Sequence, residues 1–412
     1  MPEPDSIQPT MDTNGAAGRN PSAAQGGSDF PATTGPEAPA DSESPAAALD
    51  TTPESPSARA SAEQVGRYRV LGEIGRGGMG AVLRSHDPEL GRDLALKVMR
   101  GDYAGQSEAV QRFCEEAQVG GQLQHPGTVP VYELGRAEDG RPYFTMKLVK
   151  GETLAKLLKE RSSPAQDRPR FLKIFEQVCQ AVAYAHSKGV IHRDLKPSNV
   201  MVGAFGEVQV MDWGLAKVLN PAATPERATQ PEIGTTVASA VKVSRSDSGS
   251  AETQEGDVLG TPAYMPPEQA LGEIGRVDQR ADVFSLGAIL CEILTAAPPY
   301  LGGDRIAVVR QARRAELSDA LVRLDTCDAD EELVGLARRC LSAELNDRPR
   351  DAGEVARSVE AYLAGVEERA RQAELERAAA EARAEEATAR EAAEKKQAEE
   401  AQARAIEAER RA

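Results

Sequence analysis

The chain has 412 residues, 65 of them acidic and 49 basic, for a formal charge of −16. That balance excludes a general binder of nucleic acid or of acidic membranes, which needs basic faces. The length allows one large core or two modest ones, but aromatic residues are only 4 % of the chain and cluster in its middle, so the ends bury too little surface to fold as globular units.

Residues 1–60 hold ten of the 26 prolines, carry 2 basic against 9 acidic side chains, and contain only Ile7, Phe30 and Leu49 as large apolar residues other than Met. Burial cannot offset backbone entropy there, and residues 1–64 read as a disordered acidic segment. The N-terminus lacks a basic region followed by an apolar stretch, and no run of 18 apolar residues occurs anywhere. The five cysteines, Cys114, Cys179, Cys291, Cys327 and Cys340, form no CxxC pair and no zinc-like spacing, as expected of ordinary thiols in a reducing compartment. These features predict a soluble, intracellular chain.

From Tyr68 the pattern becomes strand-like, in YRVLGEIG, AVLRSHD and LALKVMR; after Gly151 it becomes helical, in ETLAKLLKE and FLKIFEQVCQAVAYAHSKG. Strands early and helices late predict an α+β fold with a smaller sheet lobe and a larger helical lobe. Between the first strands lies Gly75-Arg76-Gly77-Gly78-Met79-Gly80, whose backbone N–H groups can approach phosphate oxygens. A dinucleotide-binding unit requires a helix at that point, whereas the following residues read as strand, turn and strand, which argues against such a unit. Lys97 stands in the apolar strand Leu94–Val98, and Glu116, nineteen residues on, stands in the amphipathic stretch EAVQRFCEEAQ, from which it can reach the lysine. Gly120-Gly121 is expected to end that helix early, at about 1 kcal/mol per glycine relative to alanine.

The densest chemistry is in Val190–Met201, VIHRDLKPSNVM, followed by Met211-Asp212-Trp213-Gly214. Two carboxylates and an amide framed by short strands supply a proton acceptor and hard oxygen ligands for Mg²⁺, the groups phosphoryl transfer needs. Further on come Pro267-Glu268, Asp282–Gly287 (DVFSLG) and Asp347-Arg348-Pro349. In this order the motifs resemble those of Hanks-type, eukaryotic-like bacterial serine/threonine protein kinases, over about 72 % of the chain, with a bilobal kinase domain expected at 68–364.

The resemblance implies a site residue by residue. Asp194 accepts the substrate hydroxyl proton, and Lys196 contacts the γ-phosphate. Asn199 and Asp212 hold Mg²⁺, and Lys97, paired with Glu116, contacts the α- and β-phosphates. Ile74, Gly75, Gly77 and Gly80 cover the nucleotide; Val82, Ala95 and Met201 enclose the adenine; Met146 to Val149 form the hinge. Glu268 and Arg348 make a buried ion pair, and Asp282 has a structural role. ATP and Mg²⁺ are the implied cofactors and unidentified proteins the substrates, with self-association during trans-autophosphorylation. Arg193, Thr253 and Thr261 are the implied regulatory set. Trp213 stands where Phe is usual, Pro266 where Ala is, and Lys147 where a hinge acid is common.

Asp212 to Glu268 spans 57 residues, and 10 of the 40 in 220–259 are Ser or Thr. The expectation is a long disordered insertion in the activation segment, with Thr253 the leading phosphate acceptor. Residues 366–412 contain 17 alanines and no Gly or Pro, with Glu367/Arg371, Glu386/Arg390 and Glu391/Lys395 at i,i+4. They predict a single exposed helix, since only Leu375 and Ile406 after Val366 are large and apolar and no coiled-coil seam results. Similar bacterial kinases often continue into a membrane span and sensor, so the chain is expected to be cytoplasmic, alone or as the cytoplasmic part of a longer anchored protein. The alternative to an active kinase is an ATP-sensing pseudokinase scaffold, against which stand Lys97, Glu116, Asp194, Asn199 and Asp212.

Overall fold

The structure, a computed structural model, describes residues 63–219, 241 and 260–412. The chain divides into two units, Met1–Ala58, which lies outside the described residues, and Arg59–Ala412. Of the segment 220–259 only Val241 is described, so Thr253 falls outside as well.

The smaller lobe is an antiparallel sheet of β1 (Gln64–Val65), β2 (Tyr68–Arg76), β3 (Gly80–Asp87), β4 (Arg92–Met99), β5 (Val131–Arg136) and β6 (Pro142–Met146), in the order β1-β2-β3-β4-β6-β5. It begins at Gln64, ahead of the strand pattern at Tyr68, because Val65 is buried with Tyr68 and Tyr143. Period-two alternation in β4 assigns its two faces. Leu94, Leu96 and Val98 join Tyr68 and Tyr143 in one apolar cluster, whereas Met99 packs with Phe113 and Phe144 in another, and Lys97 shares its face.

Helix α1 (Ser107–Gln122) covers that second face. Its buried positions Ala109, Phe113, Glu116, Ala117, Val119 and Gly120 lie on one side at helical spacing, so Glu116 is carried on the apolar stripe. The helix does not stop at Gly120-Gly121 as expected; it runs through both to Gln122. Packing decides this, since a Cβ on Gly120 would lie 2.8 Å from Val131 Cγ2, and the missing side chain lets α1 lie close to β5.

The larger lobe contains β7 (Gly151–Thr153), α2 (Leu154–Glu160), α3 (Arg168–Ser187), β8 (Val190–Ile191), β9 (Val200–Gly203), β10 (Val208–Val210) and β11 (Lys217–Val218), then α4 (Pro267–Ala270), α5 (Gln279–Thr295), α6 (Arg305–Arg314), α7 (Ser318–Thr326), α8 (Glu331–Cys340) and α9 (Ala352–Arg411). Strands β10, β9 and β7 form one small antiparallel sheet, and β11 pairs with β8. Helix α5 is the centre of this lobe, buried almost continuously from Ala281 to Leu294. It is capped by Asp278, whose side chain accepts from Arg280 N. A side chain at Gly287 would meet Cys340 Cβ at 2.5 Å, so glycine there permits the close approach of α5 and α8.

The predicted C-terminal helix is part of a longer one. It starts at Ala352, behind an Asp351 cap that accepts from Glu354 N, and buries Ala352, Val355, Ala356 and Val359 in the core before it leaves the lobe. The expected i,i+4 pairs are not those that form. Arg390 turns to Glu394 at 3.2 Å rather than to Glu386, and Arg377 pairs with Glu381 and Arg411 with Glu407. An exposed arginine with carboxylates available on either side gains little from one over the other. No described helix is long and apolar enough to cross a membrane.

Candidate active site

Between the lobes, β4 and α1 meet through Lys97, whose Nζ donates to both Glu116 oxygens at 2.5 and 2.7 Å and lies 3.7 Å from Asp212 Oδ1. Burial lowers the lysine's pKa, but the carboxylates of Glu116 and Asp212 outweigh it, so the ammonium is held above its ordinary value. Burial, with Asp212 adding to it, raises Glu116, and Lys97 opposes that rise. Val82 is registered opposite Lys97, and Ala95 opposite Met146, which aligns these residues along the same side of β3, β4 and β6. The glycine hairpin is closed by Gly77 N donating to Gly80 O at 2.9 Å, with Gly75 at the end of β2 and Ile74 beside it, 53 % exposed. After β6 the chain turns through Lys147, whose N donates to Pro130 O, and on past Val149.

In the larger lobe the β9–β10 hairpin sets the spacing of two ligand-type residues. Val200 is registered opposite Val210, and Met211 N donates to Asn199 O at 2.8 Å, so Asn199 and Asp212 flank the open end of one hairpin. Met201 lies on β9 with its side chain opposite in sense to the buried Val200 and Val202, since alternation turns it away from the core.

Asp194 is the hub. Its Oδ1 accepts from Thr261 N at 2.8 Å and its Oδ2 from Lys196 Nζ at 2.6 Å, while Lys196 also donates to Thr261 Oγ1 at 2.6 Å. Asn199 Nδ2 donates to Asp194 O at 2.9 Å, which leaves its amide oxygen, Oδ1, as the atom that could face a cation. The loop bearing Asp194 contains a backbone outlier, Arg193 at φ 67°, a left-handed conformation that a non-glycine residue adopts at a cost of about 1–2 kcal/mol. Asp282 holds it there, accepting from Arg193 N at 2.9 Å and His192 N at 2.7 Å. Asp282 is wholly buried; burial pushes its carboxyl up, but His186 and His192 overcome that and leave it below the ordinary value.

Two histidines in this web were not singled out from the sequence. Ala352 N donates to His186 Nδ1, so the proton sits on Nε2 and faces Asp282 Oδ2 at 2.9 Å. Likewise Asp194 N donates to His192 Nδ1, and His192 Nε2 donates to Met211 O at 3.0 Å. His192 adjoins Asp194 in the motif and was findable there; His186 carries no sequence signal beyond its position in the last turn of α3. Trp213 packs its ring 4.7 Å from that of His192 and is buried, but its indole N–H has no acceptor among the described residues.

Glu268 and Arg348 lie away from this cleft and face each other in two parallel contacts of 2.8 and 3.0 Å, both residues 3 % exposed. Arg193 donates Nε to Leu215 O at 2.6 Å, and burial lowers its pKa, with Asp282 opposing and Arg112 assisting.

The family model for the protein kinase domain matches residues 68–358. The chain belongs to the protein kinase family. Among curated relatives, this kinase is 35 % identical to the serine/threonine-protein kinase PknD of Protochlamydia amoebophila over 73 % of the chain and 30 % of that protein. It is 35 % identical to PknD of Chlamydia trachomatis over 73 % of the chain and 32 % of the relative, and 37 % identical to PknB of Mycolicibacterium smegmatis over 70 % of the chain and 42 % of the relative. The kinase therefore spans less than half the length of each of these relatives.

Proposed function

We propose that this kinase transfers the γ-phosphoryl group of ATP, with Mg²⁺, to serine or threonine hydroxyls of proteins, itself included. The observation that carries the reading is the convergence on Asp194 of Lys196, Thr261 and Asn199, with Lys97, Glu116 and Asp212 joined opposite. Asp194 orients the acceptor hydroxyl and takes its proton. Lys196, held between Asp194 and Thr261, meets the γ-phosphate, and Lys97, fixed by Glu116, meets the α- and β-phosphates. Val82, Ala95 and Met201 border the adenine, and Met146 to Val149 are its hinge.

The donor set fits a hard cation that takes part of its coordination from phosphates. One carboxylate, Asp212, 53 % exposed, and one amide oxygen, on Asn199, suffice for Mg²⁺ bound in that way, and among the described residues no cage of three or more His, Cys, Asp or Glu exists. When bound, the cation neutralises charge developing on the phosphates. Arg193 is the residue we assign to a phosphorylated activation segment, with Thr253 as the acceptor; its burial and the neighbouring Arg112 favour an anion beside it.

The test is phosphate transfer from γ-labelled ATP by the purified chain, to itself and to a generic protein substrate. Asp194→Asn is expected to lower the rate by about 10²–10⁴ while nucleotide binding persists. Unchanged turnover in that variant, or none in the wild type, refutes the reading; the second result favours the scaffold alternative.

A further inference from the structure

We infer, independently of what the cleft does, that the turn after α3 is a socket for Val241, which fixes the middle of the segment 220–259 to the larger lobe. Val241 is 5 % exposed and belongs to the main apolar core of that lobe. Its N donates to Lys188 O at 3.4 Å. Taking a valine side chain out of water favours the seated state by roughly tenfold to a hundredfold, before the cost of closing the chain on either side.

The end of α3 accounts for the place. The last carbonyls of an α-helix have no partner within it. Lys188 caps α3, its N donating to Ala185 O at 3.0 Å, and Gly189 follows at φ 75°, the left-handed turn that glycine favours at a helix end. Two successive carbonyls are then left to partners from outside the helix. Gly189 O accepts from Leu219 N at 2.7 Å, one step beyond the β8–β11 ladder, and Lys188 O accepts from Val241 N. Leu219 itself packs on Ile191, Val277 and Ala281. Leu219 and Val241 are therefore held by adjacent residues of one turn, whose Cα atoms are about 3.8 Å apart.

An anchor at Val241 sorts the hydroxyls of the segment by position. Thr224, Thr229, Thr235, Thr236 and Ser239 stand between Leu219 and Val241, so both tethers of that stretch are at the α3 turn. Ser244, Ser246, Ser248, Ser250 and Thr253 stand between Val241 and Gly260. Gly260 is closely packed, since an added Cβ there would lie 3.2 Å from Met265 Cε and 3.3 Å from Arg193 O, and the next residue, Thr261, donates its N to Asp194. The second set is thus tied at one end to the α3 turn and at the other to the loop that bears Asp194.

The test is limited trypsin proteolysis of the full chain without ATP, with initial cleavage rates read by mass spectrometry. The segment offers three bonds, after Arg227, Lys242 and Arg245. Each rate is divided by that of the same bond in a free peptide of residues 220–259, carrying the same substitution where there is one, which removes the protease's own preference. Cleavage needs several extended residues around the bond, so the normalised rate after Lys242, beside the seated valine, is expected to be about tenfold below that after Arg227. Val241→Asp is expected to bring the two rates together while the bond after Arg280, in α5, stays closed. Val241→Ala, which adds no charge, is expected to raise the rate after Lys242 about threefold or more under the same control. Equal normalised rates in the wild type, or protection that survives both substitutions, overturns the inference. So does protection that disappears on dilution of the kinase, which gives the socket to the segment of a second copy. No phosphate is transferred in this assay, so its outcome is separate from that of the Asp194 test.

Discussion

Replacing Arg348 with methionine should loosen the larger lobe far more than the loss of one surface ion pair. The guanidinium makes its two contacts to Glu268 and further bonds to Ser342 O at 2.7 Å, Arg280 O at 3.1 Å and Ala343 O at 3.2 Å, with Phe284 beneath it at 5.0 Å. Methionine fills much of the volume but leaves the Glu268 carboxylate buried without a counter-charge and three carbonyls without their donor. Breaking a buried pair from one side costs about 3–5 kcal/mol, and at about 2 °C per kcal/mol for a folded region of this size the melting temperature should fall by roughly 6–10 °C. Calorimetry on wild type, Arg348→Met, Glu268→Met and the double variant reads this directly. The double variant should be less destabilised than the sum of the singles by about 1–3 kcal/mol, because it removes the orphaned charge. Strict additivity, or a fall of less than about 2 °C in Arg348→Met, would refute the claim that the pair braces the lobe.

Two adjacent glycines should respond oppositely to alanine. Gly121→Ala, where an added Cβ meets nothing within 4 Å, should stabilise by about 0.5–1 kcal/mol in thermal unfolding, whereas Gly120→Ala should destabilise by about 1–3 kcal/mol against Val131. Asp282, with a folded pKa below its ordinary 3.8, contributes stability that is present above the unfolded value and lost as pH falls through the folded one. The melting-temperature gap between wild type and Asp282→Asn should accordingly be steady near neutrality and close below about pH 4; a gap that widens on acidification contradicts the assignment. Trp213, the single tryptophan, packs on His192 beside Asp212, so its emission should report ATP binding, and Lys97→Met should weaken that binding on the order of tenfold or more. Equal dissociation constants would remove Lys97 from the nucleotide site.

The kinase fold and family were legible in the sequence because phosphoryl transfer concentrates its groups in short runs. Asp194, Lys196 and Asn199 lie within six residues, and the strand following them turns directly to Asp212. Glu116 was legible by another route, its place in the amphipathic stretch EAVQRFCEEAQ nineteen residues after Lys97. Contacts between distant elements were not. Nothing near Gly120 marks Val131 as its neighbour, so the glycines read as a helix stop rather than a close approach. His186 likewise reads as an ordinary helix-end residue until Asp282 and Ala352 are brought to its two nitrogens. The exposed charges of α9 pair otherwise than predicted because several choices there are nearly equal in energy.

Helix α9 turns residue number into angle. From Val366 onward, each residue advances about 1.5 Å along the axis and about 100° around it, without a glycine or proline to break the count. Leu375 and Ile406, 31 residues apart, are therefore about 46 Å from one another and about 220° out of phase, which is why they share no stripe. One residue inserted in this stretch would rotate everything beyond it by about 100°, while seven would restore the azimuth to within about 20°. The exposed part of the helix is thus sensitive to the phase of an insertion more than to its size, a property set by backbone geometry alone and shared by none of the kinase loops.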